Sequence, residues 1–398
     1  MKMPMSPVRL TSSCTAMGGN GCKYPPISRD LRVGSMLQSV LPLVMLLALT
    51  GCGDRPPADV LAPRQVPDAA APGAQRITAY AVTTRRRDPL RPYAFGSERA
   101  VEPHDASFTV SVPPAHVAGA IEWPDGPPDT QKHFVTVRQQ ILSRETLLQQ
   151  LRSDDCGGSV GVFVHGYNHS FQEALFRLVQ MSADAQVREC ALLFSWPSSA
   201  RAIDYMGDRD SADYSRQALA DLMTDLVQEP RLEAVTIFAH SMGARLTMES
   251  LRQLRQSGED NVLDRLEVIL VAPDIDLDLF REQVEVVGSM KTPLAVLVAP
   301  DDQALRLSQR LSGNRPRLGT LRVGDPRVSA AAEAAGIQII DIGDIPATRL
   351  AHDRYVALAR LHQDRDGPHE QPQLGSTGTF VFDAIGRTLD RVTGGLTN

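Results

Sequence analysis

The chain has 398 residues, 42% of them hydrophobic and 22% charged, with 29 Gly, 28 Pro and a formal net charge of −6. That composition excludes a collagenous, disulfide-dense or wholly disordered protein, and the acidic balance argues against nucleic acid, which would select a basic face. Length alone leaves room for about two to three domains, and five cysteines is an odd number that pairing cannot exhaust.

In chain order, the first feature is the apolar run Val40–Leu49, VLPLVMLLAL. About ten residues fall well short of the ~20 that a spanning helix needs. The run exits through Leu49-Thr50-Gly51-Cys52, and a short apolar stretch with small residues at its exit reads as a cleaved secretory leader over residues 1–51. A buried helix that happens to precede a cysteine is the plainer alternative. The tetrapeptide resembles the lipobox of bacterial lipoproteins. That resemblance implies an acylated Cys52, a membrane partner held through an N-terminal lipid anchor, and a place in the bacterial cell envelope. Gly53 after the cysteine implies the outer membrane, facing the periplasm. Loss of residues 1–51, with five Lys/Arg and one Asp, leaves a mature chain of net charge −10 whose cysteines are Cys52, Cys156 and Cys190.

Residues 52–75 are rich in Pro and Ala, with Pro56, Pro57, Pro63, Pro67 and Pro72, and read as a semi-extended tether. Residues 76–365 then alternate strand-like and helix-like runs. The strand-like ones are ITAYAVTT, FTVSV, VGVFVHG, ALLFSW, AVTIFAH, LEVILVAP, PLAVLVAP and IQIIDIG; the helix-like ones include FQEALFRLVQMSADAQ, SRQALADLMTDLVQ and GARLTMESLRQLRQ. The later strands are almost continuously apolar, as parallel strands covered on both faces are. The expected fold is α/β, with a mostly parallel central sheet of about eight strands and helices on both faces. Residues 366–398 form a polar tail ending in FVFDAIGRTLDRV, an expected amphipathic helix.

Chemistry concentrates in Ile237-Phe238-Ala239-His240-Ser241-Met242-Gly243-Ala244-Arg245-Leu246. An apolar strand runs into Ser241 and an apolar-periodic helix leaves it, the setting of the G-x-S-x-G nucleophile elbow, here with Ala239 for the first Gly. The new helix N-terminus favours negative charge developing beside the serine. Upstream, Val162–Asn168 is a strand ending in His165-Gly166. The same logic makes the backbone amides of Met242 and Tyr167 the oxyanion donors. His165 and His169 lie four apart, but Gly166 and a strand-to-loop setting fit a metal pair poorly, and no carboxylate or cysteine cluster completes a site. No metal and no cofactor are expected.

From about Arg76 to Leu361 the chain resembles a bacterial α/β-hydrolase family known only as a domain of unknown function. The matching stretches are VHGYNHSFQEAL, FSWPSS, YMGDRDSADYSRQAL, FAHSMGARL, APDIDLDLF and DDQAL, with TTRRRDP, FGSERA and VSVPPAHVAGAIEWP upstream. The resemblance implies the α/β-hydrolase fold and a serine hydrolase, without a substrate. Its Asp-x-Ala-Leu pattern places the acid at Asp302, after the penultimate strand; Asp274 and Asp276, after the preceding strand, are the alternative acids, unless they cap the helix that follows. His352, soon after the last strand, is the expected base, ahead of His240, His362 and His369. Trp196 and Tyr205, with Tyr167, are expected to contact substrate, although Trp196 reads equally well as packing. In this fold the strands opening near Cys156 and Cys190 are parallel neighbours, so an oxidising compartment would permit a disulfide between them. The expected activity is hydrolysis of a small-molecule or lipid carboxylic ester. An acyltransferase or thioesterase would share every residue named, and a surface lipoprotein binding on a hydrolase scaffold would not use them.

Overall fold

The computed structural model describes residues 55–65, 72–152, 156–186, 189–347 and 351–357. The leader, Cys52 and the C-terminal tail lie outside the described residues. Nine strands form one sheet: β1 (Gln75–Arg87), β2 (Phe95–Val112), β3 (Val135–Leu142), β4 (Ser159–Val164), β5 (Cys190–Ser195), β6 (Ala234–His240), β7 (Leu266–Val271), β8 (Leu294–Val298) and β9 (Ile337–Asp341). Their spatial order is β3-β2-β1-β5-β4-β6-β7-β8-β9. Only the β1–β2 and β2–β3 pairings are antiparallel; all the others are parallel.

Period-2 alternation explains the continuous apolar strands. In β4, Val160, Val162 and Val164 enter one core while Phe163 enters the other, and in β6 Val235, Ile237 and Ala239 part from Phe238 in the same way. The first core is covered by α1 (Arg144–Leu151), α4 (Arg216–Gln228), α5 (Met242–Gln256), α6 (Asp260–Leu263) and α7 (Leu277–Val287), the second by α2 (Phe171–Ala185). Each large side chain fully buried there stabilises the fold by about 1.5–3 kcal/mol. α2 starts where sequence dictates: Ser170 accepts from the Glu173 amide and the Glu173 carboxylate accepts from the Ser170 amide, a reciprocal cap that satisfies two otherwise orphaned donors.

The expected mostly parallel sheet of about eight strands has nine, the added one being VTVRQQIL, half-buried and partly polar, which pairs with β2 as an edge strand. The polar run 200–214 contains a helix, α3 (Tyr205–Tyr214), whose inward residues include Asp208, Ser211 and Ala212; an apolar pattern cannot reveal a helix anchored by a carboxylate. Finally, Pro56–Arg64 is not a free tether. Leu61 is fully buried, Thr136 Oγ1 donates to the Val60 carbonyl at 2.8 Å, and the Arg64 amide donates to the Thr136 carbonyl at 2.8 Å.

Cys156 and Cys190 are joined by a disulfide, with their Cα atoms 4.8 Å apart. It ties the beginnings of neighbouring strands β4 and β5, leaving their C-terminal ends, where the chemically interesting loops emerge, unencumbered.

Candidate active site

The parallel strands deliver their C-terminal ends to one edge, the place where open α/β sheets bind ligands. β6 ends at His240 and α5 begins at Met242, so the chain reversal falls on Ser241 alone, at φ 55° and ψ −116°. A non-glycine residue held there costs about 1–3 kcal/mol. Three hydrogen bonds maintain it: the Ser241 amide donates to Val271 at 2.9 Å, and its carbonyl accepts from Ala244 at 3.1 Å and Asp274 at 3.2 Å. Gly243 lets α5 tuck under β4, since a Cβ there would lie 2.5 Å from the His165 carbonyl oxygen and nearer still to that of Val164. Gly166 lets the next loop close on the serine. Its added Cβ would lie 3.1 Å from Ser241 Cβ and 2.7 Å from His240 Nδ1. The segments carrying the Met242 and Tyr167 amides are thus brought to Ser241 from two sides.

Asp302 and His352, 50 residues apart, meet directly: His352 Nδ1 donates to Asp302 Oδ2 at 2.7 Å. Asp302 is fully buried, and its other oxygen accepts from the Leu305 amide at 2.9 Å, capping α8 (Gln303–Leu311). The cap fixes the carboxylate's orientation independently of the histidine. The Nδ1–H bond leaves His352 Nε2 as the basic nitrogen. His352 is tied back to the elbow, as His240 Nε2 donates to the His352 carbonyl at 2.9 Å and the two rings lie 4.6 Å apart. Burial, helped by the adjacent His352, holds the His240 pKa well below the ordinary histidine range, so His240 is a neutral spacer at neutral pH.

The alternative acids have other work. Asp274 accepts from Tyr205 Oη at 2.8 Å and Ser308 Oγ at 2.6 Å, and pairs with buried Arg317 at 3.2 Å. Asp276 caps α7, accepting from the amides of Asp278 and Leu279. Trp196 is fully buried; it stacks on His165 at 4.9 Å and donates Nε1–H to the His165 carbonyl at 2.8 Å, so its placement is that of packing beneath the loop. Tyr205 is nearly buried, with its ring edge-on to Tyr167 at 5.4 Å. Burial and Asp274 push its pKa up. Tyr167 Oη donates to the Ala202 carbonyl at 2.5 Å, so these two tyrosines wall the edge together with residues 200–205.

Two buried charges at these loops, Arg85 and Asp208, escaped sequence reasoning. Arg85, on β1, donates Nε–H to Ser195 Oγ at 2.8 Å and its other nitrogens to the carbonyls of Gly96, Ser198 and His169 at 2.8–3.0 Å. Burial pulls its pKa down to about 9, which leaves it cationic at neutral pH. His165 Nδ1 donates to the Gly166 carbonyl at 2.8 Å, so Nε2 accepts from Ser195 Oγ at 3.1 Å. Burial and Arg85 hold that imidazole neutral. A hydrogen-bonded chain therefore runs from Arg85 through Ser195 and His165 to Gly166, fixing the loop beside the serine. Asp208 completes it by accepting from Ser198 Oγ at 2.5 Å and the Ser199 amide at 2.7 Å. Three consecutive arginines, Arg85, Arg86 and Arg87, hide the inward one; only continued strand alternation from Thr83 could have singled it out.

Among the described residues, no group of three or more His, Cys, Asp or Glu could hold a metal ion. An apolar groove of about 540 Å³ between α7, β9 and α9 (Pro326–Ala335) includes none of Ser241, Asp302 or His352 in its lining.

A 62-residue stretch is 39% identical to the uncharacterized protein alr1448 of Nostoc sp., covering 15% of this chain and 16% of that one. The chain thus spans less than a fifth of that curated relative. Solved structures with similarity include a lipase-esterase related protein from Clostridium acetobutylicum (11% identity, 52% of this chain and 92% of that one, TM-score 0.27). Another is a putative hydrolase from Agrobacterium vitis (13% identity, 66% and 98%, TM-score 0.26). A third is a Pyrobaculum calidifontis esterase (11% identity, 84% and 94%, TM-score 0.30). The family model described as "Alpha/beta hydrolase of unknown function (DUF900)" matches residues 140–365, more than half of the chain, which therefore belongs to that family of α/β hydrolases.

Proposed function

We propose that the protein is a serine hydrolase that cleaves carboxylic esters through Ser241, His352 and Asp302. The observation that carries this reading is the 2.7 Å His352–Asp302 hydrogen bond, made on a segment that His240 pins beside the strained serine. His352 Nε2 takes the Ser241 hydroxyl proton as Oγ attacks the acyl carbonyl. The Met242 and Tyr167 amides receive the oxyanion, while Asp302 orients the ring and stabilises its charged form. His352 then protonates the departing alcohol, and water, activated by the same imidazole, releases the acid. Ile203 and Met206, 79% and 61% exposed on either side of Tyr205, favour an ester with an apolar acyl group.

We further infer that a lipid on Cys52 holds the domain at the outer membrane, facing the periplasm. The Cys156–Cys190 disulfide supports an oxidising compartment.

Steady-state turnover of a series of soluble nitrophenyl esters tests the chemistry. Ser241→Ala and His352→Gln should each lower kcat by about 10⁴-fold or more. Wild-type turnover in Ser241→Ala would contradict the reading. Preference for an acyl thioester would favour a thioesterase, and transfer to an added alcohol in place of water an acyltransferase. No turnover of any acyl substrate would favour a non-catalytic surface lipoprotein.

A further inference from the structure

Asp301 and Asp302 are adjacent, and each holds a different residue of the segment that carries the base. Asp302 takes His352. Asp301 Oδ2 accepts from the Arg354 guanidinium at 2.7 Å. Arg354 is itself buried, at 6% exposure, and it also donates to the main chain at two points that precede His352 in the chain. Nε–H donates to the Ile345 carbonyl at 3.0 Å, and a terminal nitrogen donates to the Ala351 carbonyl, immediately before His352, at 2.8 Å. A planar guanidinium with several fixed donors can hold such an arrangement; an ammonium cannot reproduce it.

We propose that Asp301 and Arg354 act as a clamp that positions His352 for catalysis, resting on the reading of His352 as the base. The imidazole has to satisfy two demands at once, a hydrogen bond to Asp302 and reach to Ser241, and its own bonds fix only the first. The clamp fixes the backbone on one side, through Ala351, while His240 fixes the His352 carbonyl itself. Neither Asp301 nor Arg354 is assigned to touch substrate; both act through the position of the ring. Their loss should therefore appear in kcat and leave binding nearly intact, because a displacement of about 1 Å at a reacting group can cost ~10²-fold in rate.

The experiment compares full-length Asp301→Asn, Arg354→Gln and the double variant with wild type, using a soluble nitrophenyl ester, with Ser241→Ala and His352→Gln alongside. The expected result is a fall in kcat of about 30- to 100-fold with KM changed less than about threefold. The double variant should fall no further than the worse single one, because the pair acts as a unit. Arg354→Lys should stay impaired, and guanidinium added to Arg354→Ala should restore part of the lost kcat. If Arg354→Gln does not fold, Asp301→Asn decides, since the Asp301 side chain is 55% exposed. A kcat within about threefold of wild type in Asp301→Asn would overturn the clamp, as would losses that track only the unfolded fraction or multiply in the double variant. Turnover lost in His352→Gln yet kept in Asp301→Asn and Arg354→Gln overturns the clamp alone. Turnover kept in His352→Gln overturns the reading beneath it as well.

Discussion

Asp302 performs two tasks with two oxygens, capping α8 and holding His352, and substitution can separate them. Asn keeps an acceptor for the Leu305 amide but presents the imidazole with the wrong partner, whereas Ala loses both contacts. Asp302→Asn is expected to lower kcat by about 10³- to 10⁴-fold with little change in the denaturation midpoint. Asp302→Ala should lower kcat similarly and also cost about 1 kcal/mol of stability. Ester turnover and urea melts on the same preparations check both. Equal stability loss in the two variants would show that the cap is not the second task. At this scale Ser241 and His352 are legible as candidates because each follows a strand end, and the Asp-x-Ala-Leu pattern of the resembling family singles out Asp302 from Asp301; the contact between Asp302 and His352 is what the structure adds. Arg85, Asp208 and Arg354 are not legible, because their partners are largely backbone groups of loops, which no apolar or motif pattern encodes.

Between elements, polar straps do what apolar packing does not. The connection after β2 is fastened to α2 by His116, whose two ring nitrogens face Glu122 at 2.8 Å and Asp184 at 2.9 Å. Burial opposes the imidazolium, but the hydrogen bonds and charges of Asp184 and Glu122 outweigh it and raise the His116 pKa. A raised folded-state pKa means stabilisation that is fully present below the unfolded value of about 6.5 and lost as pH rises through the folded value. The wild type should therefore exceed His116→Gln in stability most at about pH 5–6.5, with the gap narrowing above that range. Thermal melts across pH check this, and a gap independent of pH would contradict it. The same reliance on polar contacts explains which elements the sequence concealed. β4 and β6 announce themselves as almost continuously apolar runs, while β3 is half polar and α3 is anchored by Asp208.

Across the molecule, the matched family span begins at residue 140, yet the site depends on what precedes it. β1 lies inside the sheet between β2 and β5, and its Arg85 reaches the loops after β4 and β5. Strand-by-strand reading anticipated the parallel sheet because its strands are covered on both faces. It missed the docking of Pro56–Arg64, where composition resembles a linker but Leu61 enters the core. Length suggested several domains, and the described residues from Pro56 onward form one compact unit whose strand ends converge on Ser241. On the proposed reading this serine is a nucleophile activated by its surroundings, and treatment of the folded protein with a fluorophosphonate, followed by peptide mass analysis, puts that to the test. One phosphonyl adduct on the Ser241 peptide, absent from Ser241→Ala and strongly slowed in His352→Gln, is the predicted result; an unlabelled wild type, or labelling that persists in Ser241→Ala, would contradict it.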